Sequence, residues 1–323
     1  MEGAAIELAQ KVQQTDDEPD IFLVTDYLNL SLFKSLLPQK FQDCRFILYM
    51  HENQLTYPIS KRDTDKTTKR DNHYGFINFT SCLVADRVVF NSLYHRDSFL
   101  YALGQLSKKL PETLDVKQVE SKSSVIPLSI EASEWKNLVS IDKKPPKIIV
   151  WNHRWEYDKR PEIFLNMMVD LMKEGFEFNL VLLGKMDKSI RSRFKPQLQQ
   201  LNDRILHLGF LTKRSDYLSW LMKSDILISM SIHDFFGISV LEGIYAGCQP
   251  ILPKALAYPE LLPTSLHDAA FYNKGELYSK IKKALSYQYW GPYEIELSRN
   301  YIGENFGWST VGKKYEQIFQ EVI

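Results

Sequence analysis

The stretch Ser231–Pro253, SIHDFFGISVLEGIYAGCQPILP, decides the fold of this chain. The segment before it, Asp225–Ser229, is short, apolar and β-branched, which is typical of a buried parallel strand. Apolar residues at helical spacing then follow Gly237 and stop at Gly247. A second strand, Gln249–Leu252, comes next. Strand, loop, helix and strand make one βαβ unit, and ligands bind at the carboxyl ends of such strands.

Two acids flank the start of this predicted helix. Asp234 precedes it and Glu242 lies inside it, with Gly237 between them. A glycine there lets backbone approach a ligand, and the N–H groups of a helix N-terminus can bind phosphate. Carboxylates beside such an anion site suit a ligand that carries a diphosphate and sugar hydroxyls. The alternative is a pair of exposed acids, although Phe235 and Phe236 indicate burial, and buried carboxylates need partners.

Arg154 and Lys159, in WNHRWEYDKRP, follow a predicted strand at 147–151. This R-x4-K spacing at a strand's carboxyl end puts a guanidinium and an ammonium beside one anion. The competing interpretation is a surface charge cluster with Glu156 and Asp158.

The spacing Asp234-x7-Glu242, with Gly237 and the trailing AGCQPILP, resembles the E-x7-E signature of retaining GT-B glycosyltransferases of the family-four type. The phrases YMHENQLTYP, WNHRWEYDKRPEIF and HDFFGISVLEGIYAGCQPILPKALAYPE more closely resemble the tRNA-queuosine mannosyltransferase family, over most of the chain. One departure is Asp234 where the signature has Glu. The shorter side chain keeps the charge but withdraws the carboxylate by a methylene group.

The resemblance implies a donor site for a nucleotide sugar. Arg154 and Lys159 would bind its diphosphate, Glu242 its ribose hydroxyls and Asp234 its sugar hydroxyls. The predicted donor-binding residues lie at strand ends or at the start of the helix after Gly237: Arg154, Lys159, Gly184, Asp234, Phe236, Gly237, Ile238 and Glu242. The predicted catalytic residues are His51, Arg154, Lys159 and Asp234. No metal is expected, because the two cations neutralise the diphosphate and no zinc-ligand spacing is present.

The acceptor side is predicted from the first half of the chain. His51 ends a predicted strand at 45–50, in the phrase HENQ, where the resemblance implies a His near the reacting sugar; a structural His is the alternative. Further acceptor-binding candidates are Glu52, Asn53, Asn91 and Ser92. The implied acceptor is the queuosine of a tRNA anticodon. The basic segment 61–70 could bind RNA phosphates, or it could be a solvated loop.

The alternation of elements predicts an α/β protein of two Rossmann-like, doubly wound parallel-sheet domains facing a cleft, the GT-B architecture. In the second half we predict strands at 147–151, 178–183, 204–207, 225–229, 249–252 and 269–272, and helices at 161–174, 189–200, 214–223, 237–246 and 274–286. The predicted acceptor domain is 1–140, completed by a C-terminal helix at 307–323, and the nucleotide-sugar domain is 145–290. We expect the first domain to be incomplete, because the resembled family opens with a βα unit not recognisable here.

Composition narrows the class of protein. The 323 residues are 44% apolar and 25% charged, as in soluble globular proteins. Net charge is zero, so any RNA contact must use a local basic patch. The three cysteines, Cys44, Cys82 and Cys248, are scattered, which predicts reduced thiols. We expect a cytoplasmic protein, since no apolar run approaches the ~20 residues of a membrane span and no signal peptide is evident.

The resemblance to these families, together with the spacing of the charged residues, implies a retaining hexosyltransferase. Its donor substrate would be GDP-mannose, its acceptor the queuosine of a tRNA, and it would need no cofactor. Two alternatives stay open at this point. One is a family-four glycosyltransferase with a lipid, glycan or small-molecule acceptor, and the other is an inactive module that binds a nucleotide sugar.

Overall fold

The computed structural model describes residues 2–57, 70–109, 115–135, 145–287 and 290–323. The chain divides into two compact units. The first contains Met1–Leu128 and Ser309–Ile323, and the second contains Ser129–Trp308. The predicted α/β class with two parallel sheets is confirmed.

The first unit is a parallel sheet with helices. Its elements are α1 (Glu2–Gln13), β1 (Ile21–Thr25), α2 (Leu30–Leu36), β2 (Arg45–Met50), α3 (Arg70–Val84), β3 (Arg87–Phe90), α4 (Leu93–Ser107), α5 (Val116–Ser121), β4 (Ser123–Val125) and α14 (Trp308–Val322). The strand order is β1-β2-β3-β4, so the described strands follow one another without a reversal. This sheet therefore presents a single arm of a doubly wound arrangement.

Both faces of the first sheet are covered. On one face Phe46 and Leu48 of β2 join a core built with the helices α1 to α5. On the other, Ile47 and Tyr49 pack with Val311 and other apolar residues of α14. Side chains on both faces of β2 are therefore buried. This explains why the sequence of the strand is continuously apolar after Arg45, as is usual in parallel sheets.

The second unit carries the larger sheet. Its elements are β5 (Ile148–Trp151), α6 (Pro161–Lys173), β6 (Asn179–Leu183), α7 (Lys188–Arg193), α8 (Lys195–Gln200), β7 (Ile205–Gly209), α9 (Arg214–Lys223), β8 (Ile226–Ile228), α10 (Ile238–Ala246), β9 (Gln249–Pro253), α11 (His267–Ala270), β10 (Phe271–Tyr272), α12 (Leu277–Ser286) and α13 (Pro292–Phe306). The strand order is β10-β9-β8-β5-β6-β7, and all pairs are parallel. The order reverses between β5 and β8, which makes their carboxyl ends the topological switch point, the usual ligand site of such sheets.

Two predicted elements of the second unit need correction, and one helix there was not predicted. The helix predicted at 189–200 is two helices, because Pro196 has no N–H to continue the first one. The strand predicted at 269–272 is only Phe271–Tyr272, since the short helix His267–Ala270 precedes it. Helix α13 was not predicted, because only two apolar side chains among its 15 residues, Ile302 and Phe306, are buried.

No helix among the described residues is both long and apolar enough to cross a membrane. All three cysteines are free thiols, with Cys82 and Cys248 buried and Cys44 partly buried.

Candidate active site

Two loops of the second unit meet at the carboxyl ends of β5 and β8. The loop after β5 contains a short 3-10 turn, Tyr157–Lys159. The loop after β8 ends at Gly237, the N-cap of α10. The N–H of Ile232 donates to the carbonyl oxygen of Asp158 at 2.9 Å, which ties the loops together. The first turn of α10 thus lies where the topology predicts an anionic ligand.

Lys159 is a buried cation held between the two loops, with 8% of its surface exposed. Its Nζ donates to the carbonyl oxygen of His233 at 2.6 Å and lies 3.4 Å from Oδ2 of Asp234. Oδ2 of Asp158 is 3.2 Å away, within ion-pair distance but without hydrogen-bond alignment, so we regard that contact as electrostatic. Of the predicted residues, Lys159 and Asp234 are therefore brought into direct contact.

Asp234 is positioned by a tyrosine that was not among the predicted site residues. The hydroxyl of Tyr258 donates to Oδ2 of Asp234 at 3.1 Å and lies 2.9 Å from the Ser229 hydroxyl. Tyr258 is fully buried, and burial raises the pKa of its phenol well above the ordinary value, so the phenol stays neutral and donates. Tyr258 lies in the phrase ALAYPE, which belongs to the resemblance but has no recognisable chemical spacing.

Gly237 occupies a position that only glycine fits. Its φ is +88°, and a Cβ there would lie 2.8 Å from Cε1 of Tyr258. The first N–H groups of α10 precede the intrahelical bonds, which begin with Val240 and Leu241 donating to the Gly237 carbonyl. The predicted backbone donors at Phe236, Gly237 and Ile238 are at this turn. The side chain of Phe236 itself is buried.

Glu242 is buried and has two partners. Its Oε1 accepts from Nη2 of Arg214 at 2.5 Å and its Oε2 accepts from the hydroxyl of Tyr217 at 2.7 Å. Arg214 also lies 3.0 Å from Glu134. Burial, and secondarily the Glu242 charge, raise the pKa of Tyr217, so this phenol too is a neutral donor. The side-chain amide of Asn152 links Tyr217 to the start of α10. None of Arg214, Tyr217 and Asn152 was predicted, because no local spacing connects them to Glu242.

Arg154 lies at the surface rather than against the acids. Its side chain is 69% exposed and its Nη1 lies 3.2 Å from Oε1 of Glu156. For Arg154, this ion pair corresponds to the competing interpretation, a surface charge cluster with Glu156. Arg154 is nonetheless close enough to the site for its positive charge to contribute to lowering the pKa of His233. An exposed ion pair is worth ~0–1 kcal/mol, so the guanidinium can exchange Glu156 for another anion at little cost.

Two buried histidines line the same corner. Burial is the main reason why the pKa of His153 falls to about 4, and the same holds for His233. Nε2 of His153 has no hydrogen-bond partner in the described part of the chain. Gly184 passes close by, because a Cβ there would lie 2.4 Å from the His153 carbonyl oxygen. This close packing alone requires a glycine at position 184, whether or not Gly184 also contacts the donor as predicted.

In the first unit, the carboxyl ends of β1, β2 and β3 bring Asp26, His51 and Asn91 together. The buried carboxylate of Asp26 accepts from the His51 N–H at 2.7 Å and lies 3.3 Å from its Nδ1. The contact between Nδ1 and the Asp26 carboxylate raises the pKa of the His51 imidazole. Asn91 donates to the His51 carbonyl oxygen at 2.9 Å. His51 is about half exposed, so its ring is available to a ligand while its backbone is fixed.

The other acceptor-side candidates differ in character. Asn53 is buried and accepts from the backbone N–H of Thr56, and Ser92 caps α4. Asn53, Ser92 and Asn91 thus shape the backbone. Glu52 is partly exposed and accepts from Gln54. The basic segment 61–70 lies outside the residues whose side chains are described. The described residues contain no cluster of His, Cys, Asp or Glu that could hold a metal ion.

Comparison with known proteins finds relatives for both units of the chain. Residues 1–130 match a family model described as tRNA-queuosine alpha-mannosyltransferase N-terminal, and residues 133–294 match one described as glycosyl transferases group 1. A tRNA-queuosine alpha-mannosyltransferase of Drosophila melanogaster is 32% identical over 339 residues, covering 99% of this chain and 85% of the relative. One component of the human phosphatidylinositol N-acetylglucosaminyltransferase is 23% identical over 175 residues, covering 54% of this chain and 36% of the relative.

Solved structures share the fold. The sucrose-phosphate synthase of Thermosynechococcus elongatus aligns with a TM-score of 0.71 at 15% identity, covering 98% of this chain and 78% of that one. A glycosyltransferase of Rickettsia africae aligns with a TM-score of 0.69 at 18% identity, covering 98% and 80%. At such identities only the GT-B fold is shared. On the sequence comparisons, the chain belongs to the tRNA-queuosine alpha-mannosyltransferase family and is a glycosyltransferase.

Proposed function

We propose that this chain transfers mannose from GDP-mannose to the queuosine of a tRNA, with retention of configuration at the anomeric carbon. The observation that carries the proposal is the contact between Lys159 and Asp234 at the carboxyl ends of β5 and β8. A cation and a sugar-binding carboxylate side by side at a helix N-terminus suit a diphosphate joined to a hexose. Membership of the family supports queuosine as the acceptor.

The donor diphosphate would be bound by Lys159 and by the N–H groups of the first turn of α10. Arg154 would leave Glu156 to join them, because its side chain is exposed and its present ion pair is weak. These groups replace the metal ion that other transferases use to neutralise a diphosphate. We therefore expect no cofactor.

The nucleoside would be held by Glu242. Each of its carboxylate oxygens already accepts one hydrogen bond, from Arg214 or from Tyr217, and keeps a lone pair for a ribose hydroxyl. The two donors fix the carboxylate in place before the nucleotide arrives. Asp234, held by Tyr258 in the same way, would accept from hydroxyls of the mannose.

The reaction breaks the bond between the anomeric carbon and the diphosphate oxygen through an oxocarbenium-like state. The bonding electrons leave with the diphosphate, and Lys159 and the start of α10 stabilise the negative charge that develops there. The acceptor hydroxyl attacks from the face that the diphosphate leaves, which retains the configuration. Its proton passes to the departing phosphate, so no separate catalytic base is required. His51, with its pKa raised by Asp26, is our candidate for hydrogen bonding near the reacting sugar.

The test is transfer of labelled mannose from GDP-mannose to tRNA that contains queuosine, compared with the same tRNA carrying guanine at that position. Label should enter only the queuosine tRNA, and NMR of the released nucleoside should show the alpha anomer. UDP-glucose and GDP-glucose serve as competing donors. Transfer to lipid or glycan acceptors instead, or a beta-linked product, would overturn the proposal. A tRNA acceptor also leads us to expect a cytoplasmic enzyme.

A further inference from the structure

A groove of about 630 Å³ runs along β7, the edge strand of the second sheet. Helices α7 and α8 supply its other wall. We call it the β7 groove and define it by the cations Lys188, Arg191 and Lys195 and the amides Gln199 and Asn202. None of these five residues belongs to the donor site described above.

The β7 groove concentrates positive charge in a chain that has none overall. Residues 185–204 contain six Lys or Arg and two Asp, whereas the whole sequence has 40 bases and 40 acids. No residue that lines the groove within the described ranges is acidic. A local positive field of this kind attracts an anionic partner even when the protein is neutral.

The cations of the groove differ from their neighbours in their ion pairs. Elsewhere on the same segment, Arg193 pairs with Glu162 and Arg204 with Glu177. Lys188, Arg191 and Lys195 are exposed, and none has a carboxylate within 4.0 Å among the residues described. Three like charges side by side repel one another, and an anionic partner would relieve that repulsion.

The floor of the groove suits a nucleic acid. Leu198, Leu206 and Leu208 make it apolar, and the two amides can hydrogen-bond to hydroxyls or to base edges. An acidic peptide added to the edge of β7 is the competing occupant. It is disfavoured because the pairing of β6 with β7 is irregular between Leu180 and Val181, and such irregularities twist an edge away from strand addition.

We propose that the β7 groove binds the sugar-phosphate backbone of the tRNA acceptor, away from the nucleotide that is modified. This inference rests on the proposed function. Because all strands of the sheet are parallel, the carboxyl end of β7 lies at the same end of the sheet as the loop that holds Lys159 and the N-terminus of α10, the helix of Glu242. The groove therefore leads along β7 towards the end of the sheet that carries the active site. The cations would bind phosphates, and the floor would contact riboses.

The experiment removes the three charges. The groove variant is Lys188→Gln/Arg191→Gln/Lys195→Gln. The control variant, Lys173→Gln/Lys223→Gln/Lys283→Gln, loses the same charge in the last turns of α6, α9 and α12, which lie at the opposite end of the sheet from the active site. Binding of tRNA is measured over a series of salt concentrations. We expect the groove variant to bind tRNA at least ~10-fold more weakly at ~0.1 M salt, with a salt slope smaller by about 2–3. The control should keep the parent affinity and slope.

Further measurements separate the possible outcomes. The groove variant should keep the parent affinity for GDP and the parent melting temperature, and Lys188→Arg/Arg191→Lys/Lys195→Arg should bind tRNA normally. An unchanged tRNA affinity and salt slope in the groove variant would overturn the inference, as would an equal loss in the control. Polyglutamate serves as a probe for the competing occupant, an acidic peptide. If the groove variant loses polyglutamate binding but still binds tRNA like the parent, the groove binds an acidic protein instead. If the parent binds tRNA through the groove but transfers no mannose, the proposed function fails and the groove assignment stands.

Discussion

Nζ of Lys159 lies 3.4 Å from Oδ2 of Asp234, although the two residues are 75 positions apart in the sequence. The pair is largely buried, and Lys159 neutralises both Asp234 and the nearby Asp158. Removing one member of a buried ion pair leaves an uncompensated charge and typically costs ~3–5 kcal/mol. The contact therefore fixes the geometry of the two loops as well as the position of the cation.

Replacing this cation should affect turnover more than nucleoside binding. We expect Lys159→Ala to lower kcat by ~10²–10³, because one preorganised donor to the developing diphosphate charge is lost. Mannose transfer and the affinity for guanosine measure the two effects. Lys173→Ala, an exposed change at the end of α6, is the control.

A fold defect must be distinguished from a catalytic one. The variant Lys159→Met/Asp158→Asn/Asp234→Asn removes all three buried charges and should recover much of the stability that Lys159→Ala loses, without recovering turnover. Urea unfolding and steady-state rates report the two properties. A Lys159→Ala enzyme that turns over at the parent rate would remove Lys159 from the mechanism.

The hydroxyl of Tyr217 should matter for nucleotide binding. Tyr217→Phe removes the 2.7 Å hydrogen bond to Glu242. A hydrogen bond to a charged group contributes about 1.5–3 kcal/mol, so we expect the KM for GDP-mannose to rise by about 10-fold or more. Tyr278→Phe is a matched control, because Tyr278 donates to Glu174 at the same distance on an exposed surface. Equal KM values for the two variants would contradict the role of Tyr217.

Local spacing in the sequence predicted the site residues that closely follow a strand of the second sheet. Asp234, Gly237 and Glu242 follow a strand-loop-helix pattern, and Lys159 follows the neighbouring strand. Their partners Tyr258 and Arg214 come from other elements and reach the acids only through tertiary packing. No periodicity encodes such contacts.

The fold shows the same division. Strands with continuous apolar runs, such as β5 and β8, are found within a residue of their predicted ends. Helix α13 was missed because few of its residues are buried. The carboxyl-end position of Arg154 was predicted from its spacing, but its side chain turns to Glu156, and a spacing rule cannot choose between two anions.

Gly237 should tolerate no side chain, for two separable reasons. Its positive φ costs an L-residue ~1–2 kcal/mol, and a Cβ would lie 2.8 Å from the ring of Tyr258. Gly275 has a similar φ of +92° with nothing within 4 Å, so Gly275→Ala isolates the first cost. We expect Gly237→Ala to lower the melting temperature further than Gly275→Ala. It should also reduce kcat/KM, because displacing Tyr258 moves Asp234. Parent-like activity in Gly237→Ala would show that this contact does not position Asp234.

The stability of the protein should fall in mild acid because of His153. Burial lowers its pKa to about 4, whereas an unfolded histidine titrates near ~6.5, so the unfolded chain binds more protons between these values. The contribution of the neutral ring is complete above pH ~6.5 and is lost as the pH falls towards 4. From pH 7 to pH 5 the free energy of unfolding should drop by about 2 kcal/mol from this group. His233 shifts in the same direction and adds to the slope.

His153→Gln removes the titration while keeping a polar side chain of similar size. Its free energy of unfolding should be lower than that of the parent at pH 7, but should fall less steeply between pH 7 and pH 5. Urea unfolding at both values measures the difference. His73→Gln, a change at an exposed position on α3, controls for the loss of any histidine. If the free energy of unfolding of His153→Gln falls as steeply with pH as that of the parent, the His153 ring accepts a proton in the folded protein. That result would contradict the lowered pKa that we attribute to burial beside Lys159.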